Sequence, residues 1–163
     1  MRASLVLQPP APKPVGVDPL VGLGPAWTRL DHVPFGATVD IEHVIISEAG
    51  VAVVTVMGET EELAHALTEA RWRARKVMAL LGPVQWVPAT PVLVASGLAD
   101  LEIRGGHEVR DGVLVVRTVG PFTWIDELEC AAPVLTSERV GEMVDTLVAH
   151  TQRTDAIIST YPR

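Results

Sequence analysis

The sequence predicts an α/β (α+β) domain, a mixed central β-sheet flanked by helices. Three observations carry that prediction. Residues 39–46 and 51–57 are two consecutive strand candidates whose faces both become apolar past Val44, as in central strands covered on two sides. Glu59 to Leu81 then repeats apolar residues at three- and four-residue spacing. Thr90 to Ala95 follows as another apolar strand, which completes a strand–helix–strand crossover beside the hairpin.

Each element has its own signals. Residues 1–26 hold prolines at 9, 10, 12, 14, 19 and 25 and glycines at 16, 22 and 24, so an extended arm is expected there. Trp27 to Val33 reads as a first strand, ended by Pro34 and Gly36. Asp31 and His32 at its end are placed to approach Asp40 and His43 across a hairpin. Two imidazoles among carboxylates suggest a metal, but the spacing matches no closed site and no cysteine is near. Ordinary strand-end charge is the plainer reading.

Between the two central strands, Ser47-Glu48-Ala49-Gly50 has turn composition, with Gly50 free to take a positive φ. In the 59–81 helix, Leu63, Leu67, Ala70, Ala74, Val77, Met78 and Leu81 form the apolar face. Glu59, Glu61 and Glu62 are expected in its first turn, while Arg71, Arg73, Arg75 and Lys76 load its second half. That order complements the helix dipole, and Glu69 and Arg73 are spaced to pair. Gly82-Pro83 stops the helix. The basic half beside Trp72 offers a weak nucleic-acid contact through Arg71 and Arg75, although charge balance on a solvated face explains it more simply. His65 reads as a solvent residue.

Val84 to Val87 is a further strand candidate, and Leu101–Arg110 with Val113–Val119 a hairpin about Asp111-Gly112. Thr123 through Leu128 suits a short helix. Thr136-Ser137-Glu138 caps a last helix whose Val140, Met143, Val144, Leu147 and Val148 share a face. The division expected is an arm (1–26), a single domain (27–150) and a tail (151–163).

Composition narrows the function classes. At 163 residues and 48% hydrophobic, with few aromatics, one domain with an aliphatic core is expected. The formal charge of −7 argues against a general nucleic-acid binder, because neutralising phosphates needs excess base. The lone Cys130 cannot form an internal disulfide, which suits a reducing cytoplasm. No apolar run approaches membrane-spanning length, and the apolar stretch in Met1–Leu7 is too short for a secretory signal. Cys130 follows Glu127-Leu128-Glu129, an acidic setting that disfavours the thiolate, and no serine sits in a nucleophile elbow.

Chemistry is thus confined to the polar mouth of the second strand, at Asp40, Glu42 and His43. Asp40-Ile41-Glu42-His43, a short apolar strand, Gly50-Val51 and a second strand resemble the core of the nuclease-related domain. That family is a branch of the PD-(D/E)xK restriction-endonuclease-like superfamily, and the resemblance runs from about Trp27 through Val33-Pro34 to Val148. It implies a restriction-endonuclease-like core, a magnesium cofactor and DNA cleavage. Several departures count against the activity. Glu42 stands where the family has Asp before the His, and the acidic-x-Lys positions fall on Thr55-Val56-Met57, so acid and lysine are both lost. The family's opening helix, with its further acidic residue, has no counterpart in the arm.

Hard cations need oxygen ligands and the scissile phosphate needs a nearby positive charge, which Thr55 and Met57 supply poorly or not at all. The expectation is therefore a nuclease-like domain that has lost catalysis, carries no cofactor and serves as an interaction or structural module with a protein partner. One alternative is a magnesium-dependent nuclease with displaced ligands, using Asp40 and Glu42 as a residual pair. Another is a small-ligand binder at the Glu42/His43 mouth. In the first reading His43 is structural, with a ring nitrogen held by a carboxylate or carbonyl.

Overall fold

A computed structural model of the chain describes residues 18–36, 38–58, 60–82, 88–95, 107–117, 124–125, 128 and 131–160, the side chains of the last segment only to residue 155. These residues build a mixed six-stranded sheet with two long helices. The strands are β1 (Thr28–Phe35), β2 (Val39–Ser47), β3 (Gly50–Val56), β4 (Thr90–Ala95), β5 (His107–Arg110) and β6 (Val113–Arg117). The helices are α1 (Leu63–Leu81), between β3 and β4, and α2 (Ser137–Thr160), after β6. Across the sheet the order is β1-β2-β3-β4-β6-β5. β1, β2 and β3 form an antiparallel meander, β3-β4 and β4-β6 are parallel, and β5 closes antiparallel on β6.

Alternation along the strands sorts side chains into two layers. Val51, Val53 and Met57 face the helices, as do Leu93, Ala95, Val113 and Val115. There they meet Ala66, Leu67, Ala70, Ala74, Val77 and Leu81 of α1, and Met143 and Leu147 of α2. The opposite face, from Ile45, Ala52, Val54, Val92, Val94 and Val116, packs on Leu20, Trp27, Trp124 and Ile125. A sheet covered on both faces needs strands apolar on both faces, which is the pattern of residues 44–56.

The turns follow the composition. Ser47 pairs with Gly50 across a tight connection, and Gly50 takes a φ of 135°. Arg110 pairs with Val113 around Asp111 and Gly112, both at positive φ, the requirement of a two-residue hairpin turn. Gly82, at φ 84°, ends α1 and donates to the Met78 carbonyl.

Three boundaries differ from expectation. α1 starts at Leu63 rather than Glu59, with Glu62 in extended conformation at its N-cap, so Glu61 and Glu62 precede the first turn. The chain stays extended past β3, because the Met57 amide still donates to the Val94 carbonyl and the Gly58 amide donates to Glu61 Oε2. α2 continues through Thr160, where a tail from 151 was expected. Nothing between His150 and Pro162 breaks a helix, and Thr151 and Thr154 direct their hydroxyls to carbonyls four residues back. β1 runs through Pro34 to Phe35, which an edge strand tolerates. Of the other expected elements, 84–87, 101–106 and 118–119 lie outside the described residues, as does the arm before Asp18.

Candidate functional site

Glu42 and His43 are neighbours in β2, yet they take opposite sides of the sheet. Glu42 is only 5% exposed. Its Oε2 accepts the Val56 amide at 2.7 Å, and its Oε1 lies 3.5 Å from Arg73 Nη1 of α1. Arg73 is itself 9% exposed, and its Nη2 donates to Glu69 Oε1 at 2.5 Å. A guanidinium beneath the helix thus joins one carboxylate from the sheet to another from α1. Thr55 follows Val54, the pairing partner of His43, and so stands across from Glu42. Its hydroxyl is buried and makes no hydrogen bond among the described residues, and the same holds for Arg73 Nε. Met57 is buried among Ala66, Leu67 and Ala70.

The placement of Arg73 corrects the expectation of a solvated basic half on α1. Residues 71, 73 and 75 are successive odd positions and cannot share a face at 3.6 residues per turn. Arg73 turns inward. Arg71 reaches the Asp111 carbonyl and the Thr68 hydroxyl, Arg75 is exposed, and the Lys76 ammonium lies 5.0 Å from the Phe35 ring centre and 5.2 Å from that of Trp72. The Glu69–Arg73 pair is present as the spacing requires.

On the other side, His43 is half-buried on the face that Ile45 shares by alternation, and its Nδ1 lies 2.6 Å from Asp31 Oδ1. Arg29 Nε donates to both oxygens of Asp31, and Arg29 Nη1 donates to Asp18 Oδ2 at 2.6 Å. Asp18 Oδ1 also accepts the Leu20 amide. Partial burial alone would raise both aspartates. The Arg29 hydrogen bonds, helped by the Leu20 amide at Asp18 and by His43 at Asp31, outweigh it and hold both carboxyls below the usual 3.8. The hydrogen bond that Arg29 donates to Asp18 leads in holding the guanidinium above its ordinary value, against partial burial. These contacts fasten the segment before β1 onto the sheet.

The hairpin brings Asp31 and His32 to His43 and Asp40, as the sequence suggested, but as two separate pairs. Asp31 holds His43, while His32 Nδ1 meets Asp40 Oδ2 at 2.7 Å on the exposed side. Asp40 and Glu42, the residual pair of the nuclease alternative, engage different partners. Alternation along β2 also breaks at this point. The backbone takes a φ of 56° at His32, and Ile41 and Val44 both join the core under the helices, so Ile41 does not share the face of His43.

One cluster was not expected from the sequence. Glu61, His65 and Glu69 offer ligand atoms within 4.8 Å of one another. They recur every fourth residue, a signal present in the sequence but hidden there by treating His65 as solvated. Glu69 is held by Arg73 and Glu61 by the Gly58 amide. A cleft of about 620 Å³ lies elsewhere, between Trp27, the 47–49 turn, Pro133 and the start of α2. Of its lining residues, Glu48 accepts the Val134 and Leu135 amides at its carbonyl and the Ser137 hydroxyl at its carboxylate.

Fold and site together define an α+β domain with a mixed sheet, two helices on one face and, between the sheet and α1, a buried Glu42–Arg73 pair continued by the half-buried Glu69. Among the described residues, no helix is long and apolar enough to cross a membrane. No family model, no curated protein and no solved structure matches this chain.

Proposed function

We propose that this domain is a nuclease-like fold that has lost catalysis and works in the cytoplasm as an interaction or structural module, with a protein as its partner. The observation that carries the reading is the engagement of Glu42. Both of its oxygens are occupied, one by the Val56 amide and one by Arg73, and the two positions where the family has acid and lysine are a buried threonine and a buried methionine. Magnesium does not fit such a donor set, because a hard cation needs several oxygen ligands and here a guanidinium already faces the carboxylate. A phosphodiester held there would also meet no lysine to stabilise its developing charge.

The test is incubation of the purified protein with plasmid, linear and single-stranded DNA in magnesium or manganese. No cleavage is expected. Cleavage that disappears in Glu42→Ala would overturn the reading.

A second reading, a small-ligand binder, is favoured by the cleft beside Trp27, whose volume falls within the roughly 300–1,000 Å³ of small-molecule sites. It moves the ligand away from the Glu42/His43 mouth, where Arg73 and Asp31 already engage those two side chains.

A further inference from the structure

Arg73 lies on the inner side of α1, and the outer side carries charges sorted by sign along the helix. We propose that this outer face pairs with the same face of a second copy of the chain, the two α1 helices running antiparallel about a two-fold axis beside Trp72. Pairing through this face does not depend on whether the domain is nuclease-like.

Glu61, Glu62 and Glu69 lie before or in the first half of the helix, and the ligand atoms of Glu61 and Glu69 gather with His65 within 4.8 Å of one another. Arg75 and Lys76 lie in the second half, and Trp72 stands at the midpoint of Leu63–Leu81. The basic group is not balanced where it stands. Arg71 and Arg75 are like charges four residues apart, a spacing that destabilises a helix. Arg71 bonds to the neutral Asp111 carbonyl and Thr68 hydroxyl, and neither Arg75 nor Lys76 makes an ion pair with a described residue. Arg29, Arg73, Arg110 and Arg139, by contrast, each pair with a carboxylate. The helix dipole favours Glu62 at the N-cap, but its effect fades within a turn of either end. It does not reach Glu69, Arg75 or Lys76, and the last turn holds no base.

A face with acid at one end and base at the other is complementary to itself when turned end for end. About an axis beside Trp72, Thr68 and Glu69 of one copy, four and three residues before it, oppose Lys76 and Arg75 of the other, four and three after it. Glu69 engages Arg73 through Oε1, which leaves its other oxygen for a cation of the second copy. The centre of the face holds an aromatic anchor of the kind interfaces favour. Trp72 is half-buried and edge-on to Phe35, with ring centres 5.9 Å apart and the Lys76 ammonium over both rings, so it is fixed in place with part of its surface open. Ala64, Thr68 and Ala79 are exposed and small, which lets a second helix come close. An acidic peptide or a nucleic-acid strand laid along α1 would meet Glu61, Glu62 and Glu69 at its start, so the face as a whole fits neither.

The experiment measures the mass of the full chain in solution, by light scattering after size exclusion and by sedimentation. A two-chain species is expected at about 0.1 M salt, and its dissociation constant should rise roughly tenfold or more at about 1 M, where the Debye length falls from about 10 Å to about 3 Å. Two charge reversals decide the geometry, Arg75→Glu with Lys76→Glu and Glu61→Lys with Glu62→Lys. Each alone should be monomeric, and an equal mixture should form a mixed pair, since an acidic face then meets a basic one. Trp72→Ala should weaken the parent pair at either salt. Circular dichroism melts check that each variant folds. Glu61 also accepts the Gly58 amide, so where its reversal unfolds the chain, Glu62→Lys with His65→Lys replaces it.

A parent that stays monomeric at low salt and millimolar concentration overturns the proposal. So does a pair indifferent to both reversals, or two reversed variants that fail to associate with each other. A monomeric parent that binds polyglutamate or a single-stranded oligonucleotide, with binding lost in Arg75→Glu/Lys76→Glu, gives the face to another partner and overturns it as well.

Discussion

The two charged networks start from adjacent residues and obey different physics. Glu42 and Arg73 lie almost wholly out of water, where Arg73 faces the Glu42 carboxylate and bonds to Glu69, and the Val56 amide donates to Glu42. His43 and Asp31, whose side chains are 14% and 41% exposed, remain partly solvated, and so does the Arg29–Asp18 pair that continues them. Water can replace a lost partner in the second network but not in the first. Successive side chains of a strand take opposite faces, which sends Glu42 under α1 and His43 to the other face, and the packing of α1 then buries the first.

The comparison breaks most visibly at Glu42. Glu42→Gln should leave the guanidinium with one carboxylate and cost about 3–5 kcal/mol, the scale for orphaning a buried charge. Urea melts measure it, and a cost below that of His43→Ala would show that the buried network carries no special weight.

His43→Ala is expected to cost less, about 1–3 kcal/mol, for a lost ring contact and a hydrogen bond whose partner stays reachable by water. The same melts repeated with magnesium or zinc sharpen this. An unchanged midpoint without metal, with metal stabilising only the parent, would make His43 a ligand rather than a structural residue.

The smallest effect concerns acid. Asp18 and Asp31 titrate below 3.8 in the folded chain, so the unfolded chain binds protons first as pH falls. Their contribution is complete above about pH 4–5 and fades as pH drops through 3.8 toward the lower folded values. Stability measured between pH 6 and pH 3 should therefore fall, and Asp31→Asn should flatten that slope. A slope unchanged by Asp31→Asn would show that the exposed network does not contribute to acid sensitivity.

Much of this arrangement is legible in the amino-acid sequence. The doubly apolar 44–56 hairpin, the α1 stripe, the Asp111-Gly112 turn and the Gly82 stop all depend on contacts a few residues long, and local chemistry decides them. The approach of Asp31 to His43 is also legible, because an antiparallel hairpin has few registers that bury its apolar faces. The helix starts are less so. Glu59, Glu61 and Glu62 favour a first turn by composition, but the ladder from Met57 to β4 keeps the chain extended and delays α1 to Leu63.

What the sequence by itself determined is the set of elements and their apolar faces. These follow from periodicity and residue identity alone. Only the tertiary structure decided that Arg73 leaves the solvated side of α1 to meet Glu42, thirty-one positions earlier. No local preference favours burying an arginine. Its burial becomes tolerable only when a carboxylate from another element is waiting at the same depth, and that meeting is made by the packing of α1 on the sheet.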